Sequence, residues 1–238
     1  MAKTVFHSSD SRGEVNFGWL TSRHTFSFGH YYNPDRIHFG SLRVLNDDIV
    51  AAGMGFPEHP HANMEIISIP LAGALKHMDT IGSETIIRAG EIQVMSAGTG
   101  ISHSEMNASR DEQVKFLQIW VFPNKKNVKP RYDQQVIPYA TEKNKLIQIL
   151  SPNPEDAGVW IHQDAWFHIG TFDEIGSHPY QMKREGNGVY FFVLAGEVKI
   201  LNQVLQARDG FGVTEIADFT IEVTKPGTSL LVMDVPMR

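Results

Sequence analysis

What most constrains this chain is the form of its regular stretches, which are short, rich in β-branched and aromatic residues, and separated by turn formers. Gly40 to Val50, Glu65 to Leu71, Thr85 to Ile87, Glu91 to Met95, Val114 to Phe122, Leu146 to Leu150, Gly188 to Leu194, Phe219 to Val223 and Ser229 to Val235 all have this character. Almost no 3.6-residue apolar period lies between them. Such spacing predicts an all-β sandwich or barrel with little helix. The length of 238 residues allows one large domain or two small ones.

A weak internal repeat favours two. Leu71-Ala72-Gly73 recurs as Leu194-Ala195-Gly196, an offset of 123, and Lys76 then falls on Lys199. Arg88-Ala89-Gly90 matches Arg208-Asp209-Gly210 at an offset of 120. Two matches in the same order, each ending a strand, point to duplication. Between the copies, Pro123 to Gly158 is punctuated by five prolines, so it predicts a connection broken by one or two strands. The boundary is placed near 135, giving domains 1–135 and 136–238.

Composition narrows the chemistry. Cysteine is absent, which removes disulfides, thiolate metal sites and a Cys nucleophile, so any metal here is held by nitrogen and oxygen. The net charge of -6 argues against a nucleic-acid partner, although Lys125, Lys126 and Lys129 form a local basic patch. No stretch approaches the ~18 apolar residues of a membrane span, and no targeting segment is visible. A soluble cytoplasmic protein is expected.

Eleven histidines make imidazole the group to follow. In a strand, residues i and i+2 share a face, so His59-Pro60-His61 and His103-Ser104-Glu105 each present two ligands side by side. Facing one another, the triplets offer three imidazoles and a carboxylate, a set suited to a divalent first-row metal with positions left open. Pro60 lacks a ladder donor and places its triplet at a strand start or edge. Glu65 shares parity with His61, so spacing alone does not choose between Glu65 and Glu105. The remaining histidines, His77 among them, have no partner at ligand spacing and are assigned to loops or core. Asp47 and Asp48 are adjacent, cannot form a joint acid–base site in a strand, and are assigned to a turn or strand end. Phe26, Phe28, Phe56, Met95, Trp120 and Phe122 are candidates to line a pocket. The alternation over 118–122 does not say which face is inside.

The spacing from Gly53 through His59, His61 and Glu65 to Gly73 resembles the first cupin motif, and Gly90 through His103 to Asn107 is similar to the second. Ser96-Ala97-Gly98, where cupins usually carry Pro-x-Gly, resembles the pirin family instead. So do Arg12-Gly13, Asn16 to Leu20, His24 to Gly29, Leu42 to Asp48 and the run Ser96 to Glu105.

The resemblance implies a bicupin, two stacked jelly-roll β-barrels, with one metal in the first. Iron(II) is implied foremost, with nickel, copper, cobalt, manganese or zinc as alternatives, held by His59, His61, His103 and Glu105. Glu65 then becomes a supporting group that orients an imidazole or the substrate. Several pirin-like proteins cleave the heterocycle of quercetin with dioxygen and release carbon monoxide, so the implied partners are a small aromatic substrate and O2, with Glu105 as ligand and general base. The alternative is a regulatory or redox-sensing protein acting through a partner protein. By the repeat offsets, His59 and His61 fall on Met182 and Arg184, and His103 and Glu105 on Val223 and Lys225. A second barrel without metal ligands is therefore expected. A monomer satisfies this architecture.

Overall fold

The computed structural model describes residues 2–138 and 141–237. The first half contributes β1 (Lys3–His7), β2 (Gly13–Asn16), β3 (Leu20–His24), β4 (Leu42–Val50), β5 (Gly55–His61) and β6 (Glu65–Ala72). It continues with β7 (Ala74–Asp79), β8 (Glu84–Arg88), β9 (Glu91–Ser96), β10 (Ile101–Asn107), β11 (Val114–Val121) and β12 (Arg131–Val136). The second half contributes β13 (Lys145–Ser151), β14 (Val159–Trp160), β15 (Trp166–Phe172), β16 (Gly176–Gln181) and β17 (Asn187–Ala195). After these come β18 (Glu197–Ile200), β19 (Gln203–Gln206), β20 (Gly210–Thr214), β21 (Asp218–Val223) and β22 (Thr228–Pro236). Among the described residues the sole helical element is a 3-10 turn at Ser9–Ser11. Each strand expected from the sequence is present, and Pro123 to Gly158 holds two, β12 and β13.

The strands form four sheets. A seven-stranded sheet, β12-β9-β6-β11-β4-β3-β2, and a four-stranded one, β5-β10-β7-β8, make the first barrel. The second repeats the pattern as β1-β20-β17-β22-β15-β13-β14 and β16-β21-β18-β19. β1, from the stretch assigned to the first domain, hydrogen-bonds to β20 of the second barrel. His7 ties it down, its Nδ1 lying 2.7 Å from the Tyr190 hydroxyl. The boundary expected near 135 falls within β12, which pairs with β9 of the first sheet.

The two large sheets share one apolar cluster. It takes Leu45, Ile67, Ile69, Leu117, Ile119 and Val121 from the first and Phe167, Ile169, Tyr190, Phe192, Leu231 and Met233 from the second. Strands between that seam and a barrel interior are buried on both faces, which is why β6 and β17 are nearly continuous apolar runs rather than alternating ones. The alternation over 118–122 is thereby settled: Ile119 and Val121 face the seam, and Gln118 and Trp120 face the barrel interior.

Register identifies equivalent positions. Both β6 and β17 carry a one-residue bulge, at Leu71 and at Leu194, so the offset of 123 is structural. Gly73 and Gly196, which follow, turn the chain at φ 75° and 76°, a conformation only glycine adopts without strain. The second sequence match is a coincidence. Ser68 pairs with Gln93 where Phe191 pairs with Phe211, an offset of 118 for the ninth strand, so Gly90 corresponds to Arg208 rather than to Gly210. Gly90 and Arg208 both have positive φ, 92° and 72°.

Candidate metal centre

The edge strand β5 pairs antiparallel with β10, and His59 lies opposite His103. Pro60 is tolerated there because an edge strand has one side free of ladder bonds. His59, His61 and His103 bring one ring nitrogen each within 4.8 Å of one another. The three rings are in mutual contact, with centroids 4.5 to 5.0 Å apart. His103 is fully buried, whereas His59 and His61 are half-buried at the strand end.

The rings are prepared to donate lone pairs. Nδ1 of His59 lies 2.7 Å from the Pro57 carbonyl, which assigns its proton there and leaves Nε2 for the site. His61 Nε2 and both nitrogens of His103 are buried without a hydrogen-bond partner. Burial lowers His61 to about 4 and His103 to about 3, reinforced by the neighbouring imidazoles, so both rings are neutral at neutral pH. Buried, neutral and unpartnered imidazoles facing one another fit a divalent metal ion.

Glu105 is held more tightly than its spacing implied. Ser68 Oγ and Gln93 Nε2 donate to its Oε1 at 2.7 and 2.8 Å, and Gln118 Nε2 donates to Oε2 at 2.5 Å. A carboxylate offers about four lone-pair sites, so about one remains. Its oxygen clusters within 4.8 Å of His103 and of His77, a residue the sequence placed in loop or core. His77 lies opposite Glu105 on β7, fully buried, and its Nε2 is 3.0 Å from Asp79 Oδ2. The His-x-Asp spacing on the strand after Gly73 was the available signal.

Several other expectations are corrected. Glu65 does not face the barrel: it shares parity with Ile67 and Ile69 and points into the seam. There it accepts from Ser96 Oγ at 2.6 Å and lies 3.3 Å from His162 Nδ1 of the second half. Counting parity from His61 failed because residues 62–64 form a turn with Asn63 at φ 50°. Asp47 and Asp48 lie within β4 rather than at a turn, and they do point oppositely. Asp47 reaches Arg12 and Arg208, 3.5 Å from each, while buried Asp48 accepts from Ser22 Oγ. Of the pocket candidates, Trp120 packs 4.9 Å from His61, Phe28 lies edge-on to Trp120 at 5.3 Å, and Met95 packs beside them. Phe26 belongs to the seam, Phe56 packs on Trp19 and Phe116, and Phe122 is exposed beside His38.

The second barrel carries other residues at these positions. Strand pairing, rather than the sequence offsets, sets Tyr180 and Phe219 where the first barrel has His59 and His103, and Ile200 and Ile221 where it has His77 and Glu105. Ser68, Gln93 and Gln118 correspond to Phe191, Phe211 and Val232. All seven of the second-barrel residues belong to one apolar cluster.

Residues 5–121 match the Pirin family model, and residues 148–235 match that of the quercetinase C-terminal cupin domain. A quercetin 2,3-dioxygenase of Escherichia coli K12 is 37% identical over 230 residues, covering 96% of both chains. A pirin-like protein of Caulobacter vibrioides is 36% identical over 224 residues, 94% of this chain and 96% of its own. The crystal structure of a bacterial pirin from Escherichia coli in complex with nickel(II) superposes with a TM-score of 0.92 at 35% identity, covering 98% of this chain and 99% of the other. Similarity of this extent, spanning both barrels and the strands that join them, means that the chain belongs to the pirin family and is a bicupin.

Proposed function

We propose that this protein is a metal-dependent dioxygenase that cleaves the heterocycle of quercetin-like flavonols with O2 and releases carbon monoxide. The carrying observation is the trio His59, His61 and His103, which bring one ring nitrogen each within 4.8 Å of one another, with buried unpartnered nitrogens on His61 and His103. The names of its relatives and the nickel-bound bacterial pirin support the reading. One divalent ion is assigned to His59, His61, His103 and Glu105, with iron(II) foremost. The work is assigned to the first domain, residues 1–135, although its β1 pairs in the second barrel, and 136–238 is left a role that is structural or in binding partners.

A bound ion would lower the pKa of a coordinated flavonol hydroxyl and supply the redox-active centre. The protein's own groups do the rest. Trp120, Phe28 and Met95 offer apolar surface to a flat ring system beside His61. Glu105 has one lone-pair site left for an ion or a proton, and Ser68, Gln93 and Gln118 fix where that site points.

Two measurements test the proposal. Aerobic incubation of the metal-loaded protein with quercetin is expected to bleach the flavonol absorbance and release carbon monoxide. No reaction with iron, nickel, copper, cobalt or manganese would overturn it and leave the regulatory reading. Glu105→Gln is expected to keep much of the metal and lose most turnover. The unpartnered Oε1 of Gln93 allows that amide to turn and receive the new one. Unchanged turnover would remove Glu105 from the chemistry.

A further inference from the structure

His77 has the arrangement of a metal ligand without being one of the family-like residues. Its Nε2 is anchored at 3.0 Å to Asp79 Oδ2. Asp79 is fixed in turn, its Oδ1 accepting from the backbone N–H groups of Ile81 and Ser83 at 3.0 and 2.9 Å. The ring is clamped from the side by Tyr132, with centroids 4.6 Å apart, and the Tyr132 hydroxyl is held by Thr85 Oγ1 at 2.7 Å. Its remaining nitrogen, Nδ1, is buried and has no hydrogen-bond partner. One nitrogen on a carboxylate and the other presented bare is how proteins orient ligating imidazoles. A buried acceptor left empty otherwise costs stability.

The register of β7 on β10 supplies the partners. His77 pairs with Glu105 and Asp79 with His103, so the one-atom ligands of His77, His103 and Glu105 lie within 4.8 Å of one another. All three side chains are buried, in contrast to the half-buried His59 and His61. The three hydrogen bonds to Glu105 leave it one lone pair, and His103 is unpartnered at both ring nitrogens.

We propose that the first barrel offers a divalent transition metal a second, inner position, formed by His77, His103 and Glu105, which shares His103 and Glu105 with the outer position at His59 and His61, so that one ion occupies either position at a time. Two nitrogens and one carboxylate oxygen suit zinc, cobalt, nickel or iron(II). The inner position is enclosed by protein, while the outer one faces the strand ends. An ion moving inward leaves the solvent-facing side, and one moving outward becomes accessible to a substrate. The inference rests on the reading that this barrel binds metal.

The test uses the full chain loaded with cobalt(II) or zinc(II). The double variant His59→Gln/His61→Gln is expected to retain about one ion per chain, with an X-ray absorption spectrum of two imidazoles and a carboxylate. Adding His77→Gln removes a direct ligand and is expected to weaken that binding by more than about 10–100-fold, the scale seen when a metal site loses only a supporting contact. If the double variant binds no ion while the unmodified chain does, the inner position is overturned and the outer one stands; if the unmodified chain binds none, both fall. Should the double variant fail to fold, anomalous diffraction from the unmodified chain in excess cobalt(II) decides. A peak about 2.0–2.2 Å from His77 Nδ1 supports the proposal, and a peak at the outer trio alone overturns it.

Discussion

Asp48 shows how much the first barrel's polar interior strains the chain. Burial, opposed by the Ser22 hydroxyl and assisted by the charges of Asp47 and Glu105, pushes its carboxyl up to about 7. The folded state therefore holds a proton that the unfolded chain releases near 3.8. The stability this group contributes is present below about 4 and is lost as pH rises toward 7. Asp48→Asn cannot titrate. Metal-free unmodified protein is expected to lose stability relative to Asp48→Asn between about pH 4 and 7, by at most about 4 kcal/mol, with a flat difference above 7. Thermal unfolding of both chains across pH 4–9 checks this, and a difference independent of pH would contradict it. At this scale the sequence was informative where candidate ligands alternate within one strand, as in His59/His61 and His103/Glu105. For His77 it offered only the His-x-Asp spacing with Asp79, because the approach to Glu105 exists only through β7–β10 pairing, and it misled on Glu65, where a turn reset the parity.

At the scale of elements, the short apolar stretches announced the strands and the Leu-Ala-Gly recurrence announced the duplication. The recurrence was legible because both copies need glycine at a left-handed turn after a bulged strand. The second tripeptide match misled because one copy makes its turn with Gly90 and the other with Arg208. The two barrels also differ in what fills them, as the loss of both ligand-like triplets from the second copy already implied. Equivalent positions hold a polar cradle in the first barrel and Phe191, Phe211, Phe219 and Ile221 in the second. Phe191→Ala is expected to cost about 3–5 kcal/mol, because a fully buried ring is replaced by a cavity. It is expected to leave the number of metal ions bound per chain unchanged. Denaturant unfolding and metal analysis of one preparation check both, and a loss of metal would mean that the second barrel shapes the site.

At the scale of the whole molecule, the seam makes the two barrels one unit. Its apolar cluster draws on both large sheets, and polar contacts cross it. Arg131 stacks 3.9 Å over Trp160 and donates to the Trp160 carbonyl at 2.6 Å, and Glu65 meets His162. Neither half buries its large sheet alone, so calorimetry is expected to give a single cooperative transition; two resolved transitions would show that the barrels unfold separately. Removing residues 2–8 is expected to lower the melting temperature and to promote self-association, because it uncovers the edge of β20. That strand also has a consequence for biosynthesis. β1 precedes every other strand in the chain, yet its partner spans Gly210–Thr214, so it emerges from the ribosome long before β20 exists. The first barrel can close while β1 waits unpaired, because β1 can take its place in the second barrel only once β20 has been made.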